Sequence, residues 1–227
     1  MAKVFLSAGH GGVDSGACAN GFKEKDINLQ TLLACKEELE RHGVVVVCSR
    51  TTDEADPVVQ EVKEANASKA DIAVSFHANA GGGDGFEVFH YYYSSSNPDK
   101  NGQKLAQLGE KYVKQLGQNS RGIKNGNHLY FVRETTMTAV LFESFFLDNA
   151  TDKTIGDTVA EQRAFGVAYA KAILEYFGIA YKAPVVETTS GTLYRVQVGA
   201  YSVKANAEAM LDKLKKAGFD GFITSSK

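Results

Sequence analysis

At 227 residues, with 44% apolar and 23% charged side chains, the chain is long enough for one domain with a sizeable core plus a small appendage, and the composition excludes a disordered chain. No apolar run approaches the roughly 18 residues of a membrane span, and three cysteines without a CxxC pair, Cys18, Cys35 and Cys48, support neither a disulfide framework nor a zinc ribbon. The formal charge of −2 is split unevenly, with 19 basic and 24 acidic side chains over 1–191 against six and three over 192–227; that small excess reads as a solvated face and not as a nucleic-acid surface.

In chain order, KVFLSAG reads as a buried strand, and DINLQTLLACKEELERHG as an amphipathic helix with Leu29, Leu32, Leu33 and Leu39 near one face, Asp26 as its N-cap and Gly43 as its stop. VVVVCSR is a β-branched run of the kind expected in a strand covered on both faces, and Pro57 opens a second helix, PVVQEVKEANASKA. DIAVSFHAN is a third strand, FEVFHYYY an aromatic one, and NGQKLAQLGEKYVKQLGQ a helix. HLYFVRE and AVLFESFF read as two more strands, and DKTIGDTVAEQRAFGVAYAKAILEYFGI as one long closing helix. The alternation predicts an α/β fold with a mostly parallel central sheet flanked by helices. In such sheets ligands bind beyond the carboxyl ends of the strands, which is where His10 and His77 fall.

The division is expected at 1–180 for the main domain, 181–191 (YKAPVVETTSG) for a linker and 192–227 for a β-α-β unit with Tyr194, Val196 and Val198 on one face of its first strand. A unit of some 36 residues falls below the size that folds alone without staples, about 40 residues, and exposes a strand edge; it is expected to pair with its copy in a homodimer through 192–227.

His10 sits among glycines in SAGHGGVDSGA, His77 in the small surroundings of SFHANA, and Glu24 just before the first helix, so the three can meet at one rim of the sheet. Two imidazoles and a carboxylate form a ligand set of catalytic zinc, which keeps a fourth position for water. Glu143 stands among apolar neighbours in VLFESFF, where a carboxylate is costly unless paired or employed. By spacing alone, a metal centre and a group of packed, hydrogen-bonded side chains both remain open. Arg133 and His128 offer no firm role, and the aromatics of FEVFHYYY suit sheet packing as well as sugar stacking.

GHGGVDSGA, GFKEKDINL, VSFHANA, RGIK and AVLFESFFLDN together resemble the zinc-dependent N-acetylmuramoyl-L-alanine amidases over residues 2–178. The resemblance implies Zn2+ held by His10, Glu24 and His77, Glu143 as the catalytic carboxylate, and peptidoglycan as the substrate, cut between N-acetylmuramic acid and L-alanine. The chain departs from the family in having Thr138 where a proline is frequent and Ser144 or Phe145 where a glycine is frequent. Residues 192–227 resemble half of a sporulation-related (SPOR-like) repeat that binds the wall. Competing readings are a zinc metallopeptidase on wall peptides and a wall-binding protein without catalysis. MAKVFLSAGH does not resemble a secretory signal, so synthesis in the cytoplasm and action on the wall after lysis, by a phage or a mother cell, is the expectation.

Overall fold

The computed structural model describes residues 1–184 and 196–225, in two compact units, Met1–Lys182 and Ala183–Lys227. In chain order the first unit holds β1 (Lys3–Ala8), the two-residue strands β2 (Cys18–Ala19) and β3 (Phe22–Lys23), α1 (Glu24–Arg41), β4 (Val45–Cys48), α2 (Val58–Ser68) and β5 (Ile72–Asn79). There follow β6 (Phe86–His90), β7 (Tyr92–Ser94), β8 (Asn97–Pro98), α3 (Lys100–Lys114), β9 (Ser120–Asn125), α4 (Tyr130–Glu134), β10 (Thr138–Phe146), α5 (Ala150–Lys153) and α6 (Val159–Tyr176). Six strands form the central sheet in the order β4-β1-β5-β10-β6-β9. Only the β10–β6 pair is antiparallel. The α/β fold with a mostly parallel sheet is as the sequence predicts.

Side chains alternate across each strand, so the sheet builds two cores. Val4, Leu6, Val74, Phe76, Val140 and Phe142 face the layer of α1, α3 and α6, where Phe142 stacks on Tyr169 at 4.3 Å between ring centroids. Phe5, Ala73 and Ala139 face a thinner layer in which α2 brings Val62 and Ala65 and α4 brings Phe131. That second cluster stops at Ala73 and Ala139, four residues short of His77 and Glu143 on the same face. The uncovered end is where the functional groups collect.

Several expectations are corrected. HLYFVRE is a helix, α4, because five residues are too few to show a period and the segment buries Phe131 and Val132 next to α2; the strand in this region is SRGIKN, β9, a polar edge strand without an apolar pattern. VVVVCSR is likewise an edge strand, with Val45 41% exposed, and is not covered on both faces. Helix α1 begins two residues before Asp26, with Lys23 as N-cap, so Glu24 is its first residue and Asp26 an exposed member of the first turn. The closing helix is broken into α5 and α6, the latter started by a capping box between Thr158 and Glu161.

In the second unit α7 (Lys204–Lys216) forms as expected and buries none of its residues. The two strands expected around it do not form among the described residues; Val196, Val198, Phe219 and Phe222 are exposed, and Tyr194 lies outside the described residues. A strand gains its hydrogen bonds only from a neighbour, and among the described residues of this unit there is none.

Candidate metal centre

β1 runs into a turn in which His10 adopts φ 67°, a left-handed conformation that is uncommon outside glycine and throws the imidazole over the end of the sheet. β5 presents His77 on the neighbouring strand, and α1 starts at Glu24 so that its carboxylate enters from the side. The three are brought together. One donor atom from each lies within 4.8 Å of the others, with His10 Nε2 3.1 Å from Glu24 Oε2 and His77 Nδ1 2.9 Å from Glu24 Oε1.

Two glycines make room for this. A Cβ on Gly9 would stand 2.1 Å from the His77 ring, and one on Gly16 would stand 2.6 Å from both Glu24 Oε2 and the His10 ring. The ligand candidates are also braced from behind. Asp14 Oδ2 lies 2.9 Å from His10 Nδ1, which orients Nε2 inward, while the Ala17 N–H donates to Glu24 Oε2 at 2.9 Å and the Ala78 N–H to Oε1 at 3.3 Å. Asn28 donates to the Gly9 carbonyl at 3.0 Å, and the buried Arg50 guanidinium donates to the carbonyls of Ala8 and Lys25 at 2.9 and 2.8 Å, tying the His10 turn to the start of α1.

The electrostatics follow from this packing. The hydrogen bond to Glu24 lifts His10 to about 9, and at His77 burial opposes charging but the Glu24 hydrogen bond and the charge of Glu143 outweigh it. Burial alone would raise Glu24, yet the two imidazoles hold its carboxyl well below the usual range. Two imidazoles converging on one buried carboxylate form a pocket that favours positive charge.

Glu143 lies on β10 in register with His77 and carries no partner on Oε2. Burial pushes its carboxyl up to about 7. A half-buried glutamate whose Oε2 is itself buried and unpartnered, one strand away from a candidate ligand, is placed for proton transfer. Arg133, by contrast, pairs with Glu134 at 2.7 Å, away from this row.

The sequence reading missed Asp14, Asn28 and Arg50 as supports, and Glu87, a buried carboxylate held by Arg121 and Lys124 beside Glu143. Asp14 is four residues from His10, a spacing open to inspection; Arg50 carries no local signal.

This arrangement has known counterparts. The family model described as N-acetylmuramoyl-L-alanine amidase matches residues 4–175. The chain belongs to this amidase family. A SPOR domain model matches 168–225, beginning inside α6. The amidase is 35% identical over 225 residues to the N-acetylmuramoyl-L-alanine amidase CwlM of Bacillus licheniformis, covering 98% of this chain and 85% of the relative. It is 33% identical over 225 residues to the sporulation-specific N-acetylmuramoyl-L-alanine amidase of Bacillus subtilis, covering 98% and 84%. Among solved structures it resembles the catalytic domain of CwlV, an amidase from Bacillus (Paenibacillus) polymyxa, with a TM-score of 0.71, 32% identity, and coverage of 79% of this chain and all of the other. The chain is thus an amide hydrolase of peptidoglycan with a His/Glu/His group able to hold a metal ion.

Proposed function

We propose that the amidase hydrolyses the bond between N-acetylmuramic acid and L-alanine with Zn2+ held by His10, Glu24 and His77 and with Glu143 as general base. The observation that carries this reading is the convergence of three donor atoms within 4.8 Å beside a buried, unpartnered carboxylate oxygen. The donor set fits zinc: two imidazoles and one carboxylate make three protein ligands, and the Asp14–His10 contact is the carboxylate–histidine brace frequent at such centres. Bound zinc supplies Lewis acidity, which acidifies water and polarises a scissile carbonyl.

The protein's own groups do the rest. Glu143 accepts the proton of the attacking water on its carboxylate and returns it to the departing alanine nitrogen, an exchange suited to a group held near neutrality by burial. The Gly9 and Gly16 positions keep the space between the imidazoles clear, and Asn28 and Arg50 hold the two ligand-bearing segments in place.

The division of labour proposed is catalysis by 1–180, a linker at 181–191, and wall binding or dimerisation by 192–227. The exposed Val196, Val198, Phe219 and Phe222, with no sheet among the described residues around α7, support pairing with a second copy. Light scattering of the full chain against a 1–182 truncation tests it, and equal monomers would end the dimer reading. For catalysis the experiment is digestion of purified walls: we expect stem peptides to be released without new reducing sugars, with activity lost in EDTA and restored by zinc. Activity indifferent to chelation would overturn the metal assignment.

A further inference from the structure

On the sheet face that carries His77 and Glu143, a second charged group continues the same row. Glu143 pairs in register with His77 on one side and with Glu87 on the other, so the three side chains share one face across β5, β10 and β6. The next strand, β9, supplies Arg121 and Lys124. With strands about 4.8 Å apart, the row spans roughly 14 Å perpendicular to the strands.

Glu87 is buried and accepts through one oxygen from both cations, Arg121 Nε at 2.5 Å and the Lys124 ammonium, while its other oxygen takes the Asn79 amide at 3.2 Å. One carboxylate facing two cations leaves a net positive charge. The Arg121 guanidinium lies 5.1 Å from the centre of the Phe146 ring, its side chain is 42% exposed, and among the described residues its terminal amino groups donate to no protein oxygen. Held at Nε, stacked on an aromatic face and open at the fork, it is set in place for a planar anion. A purely structural ion pair for Glu87 would need only one of the two cations.

We infer that Arg121, backed by Lys124, binds a carboxylate of the stem peptide close beyond the scissile amide, so that the peptide crosses β10 and β6 and the enzyme selects free acids over their amides. This rests on the amidase reading above. Because Arg121 is anchored on Glu87, its fork stands one to two strand spacings, about 5–10 Å, from Glu143, within reach of the first residues of the peptide.

The test compares N-acetylmuramoyl-L-alanyl-D-glutamate with N-acetylmuramoyl-L-alanyl-D-isoglutamine, identical except that a carboxylate becomes a primary amide. For the zinc-loaded full chain we expect a KM about tenfold lower for the acid, the ratio falling towards one in Arg121→Gln and being partly kept in Arg121→Lys. Equal KM values for the unsubstituted protein, or a ratio untouched by Arg121→Gln, would overturn the inference. Calorimetric binding of both probes to Glu143→Gln reads the same ratio without turnover. No cleavage of either probe with the binding preference intact would overturn the amidase reading alone; no cleavage and no preference would overturn both.

Discussion

The two units of this chain obey the same chemistry at different sizes. Met1–Lys182 surrounds a six-stranded sheet with helices on both faces and buries Phe5, Phe76, Phe142 and Tyr169 completely; in the second unit α7 buries nothing, although its Ala207, Met210, Leu211 and Leu214 recur at helical spacing. An apolar stripe stabilises a fold only when another surface covers it. The large unit supplies that surface from its own sequence. Among the described residues of the small one, nothing covers the stripe of α7.

This contrast can be broken by experiments of decreasing effect. The largest is loss of the metal: His77→Ala or EDTA should abolish wall lysis, with zinc content by atomic absorption falling to background, whereas removal of 183–227 should leave zinc content intact. Next, Glu143→Gln should keep its zinc and lower the turnover of a soluble muropeptide by about 100- to 10,000-fold; zinc lost together with activity would show a structural role for Glu143 instead.

In stability, Phe142→Ala should cost about 3–5 kcal/mol in a denaturant titration, since it empties a ring stacked between Phe76, Phe86 and Tyr169, while Leu211→Ala in α7 should stay within about 0.5 kcal/mol. Comparable losses at both positions would remove the distinction between the units. Smallest are the effects behind the ligands. Asp14→Asn should weaken zinc affinity by about 10- to 100-fold, measured by competition with a chromogenic chelator, through loss of the carboxylate that orients His10. An unchanged affinity would show that the His10 turn alone sets the ring.

Much of the catalytic unit was legible beforehand because its signals are local. KVFLSA, IAVSFHAN and AVLFESFF announce buried strands by continuous apolar composition, and glycines around His10 announce close approach. The errors fell where composition and position part company. β4 is as β-branched as a central strand but lies at the sheet edge, and β9 is polar because one side of it faces the row of charges. HLYFVRE has strand-like residues but docks as a single helical turn against α2. In the second unit the helix was readable from its period, and the flanking strands are not formed among the described residues, where no neighbouring strand is present to pair with them.

The sequence by itself determined most of the strands and helices of the large unit, offered His10, Glu24 and His77 as candidate donors, and marked a carboxylate, Glu143, as too costly to be idle. Only the tertiary structure decided that these four stand beside one another, that Asp14, Asn28 and Arg50 brace them, and that Glu87 with its two cations extends the row. The reason is physical: residue type sets what a side chain can donate or accept, but strand order and register set which groups far apart in the chain, such as His77 and Glu143, share one face.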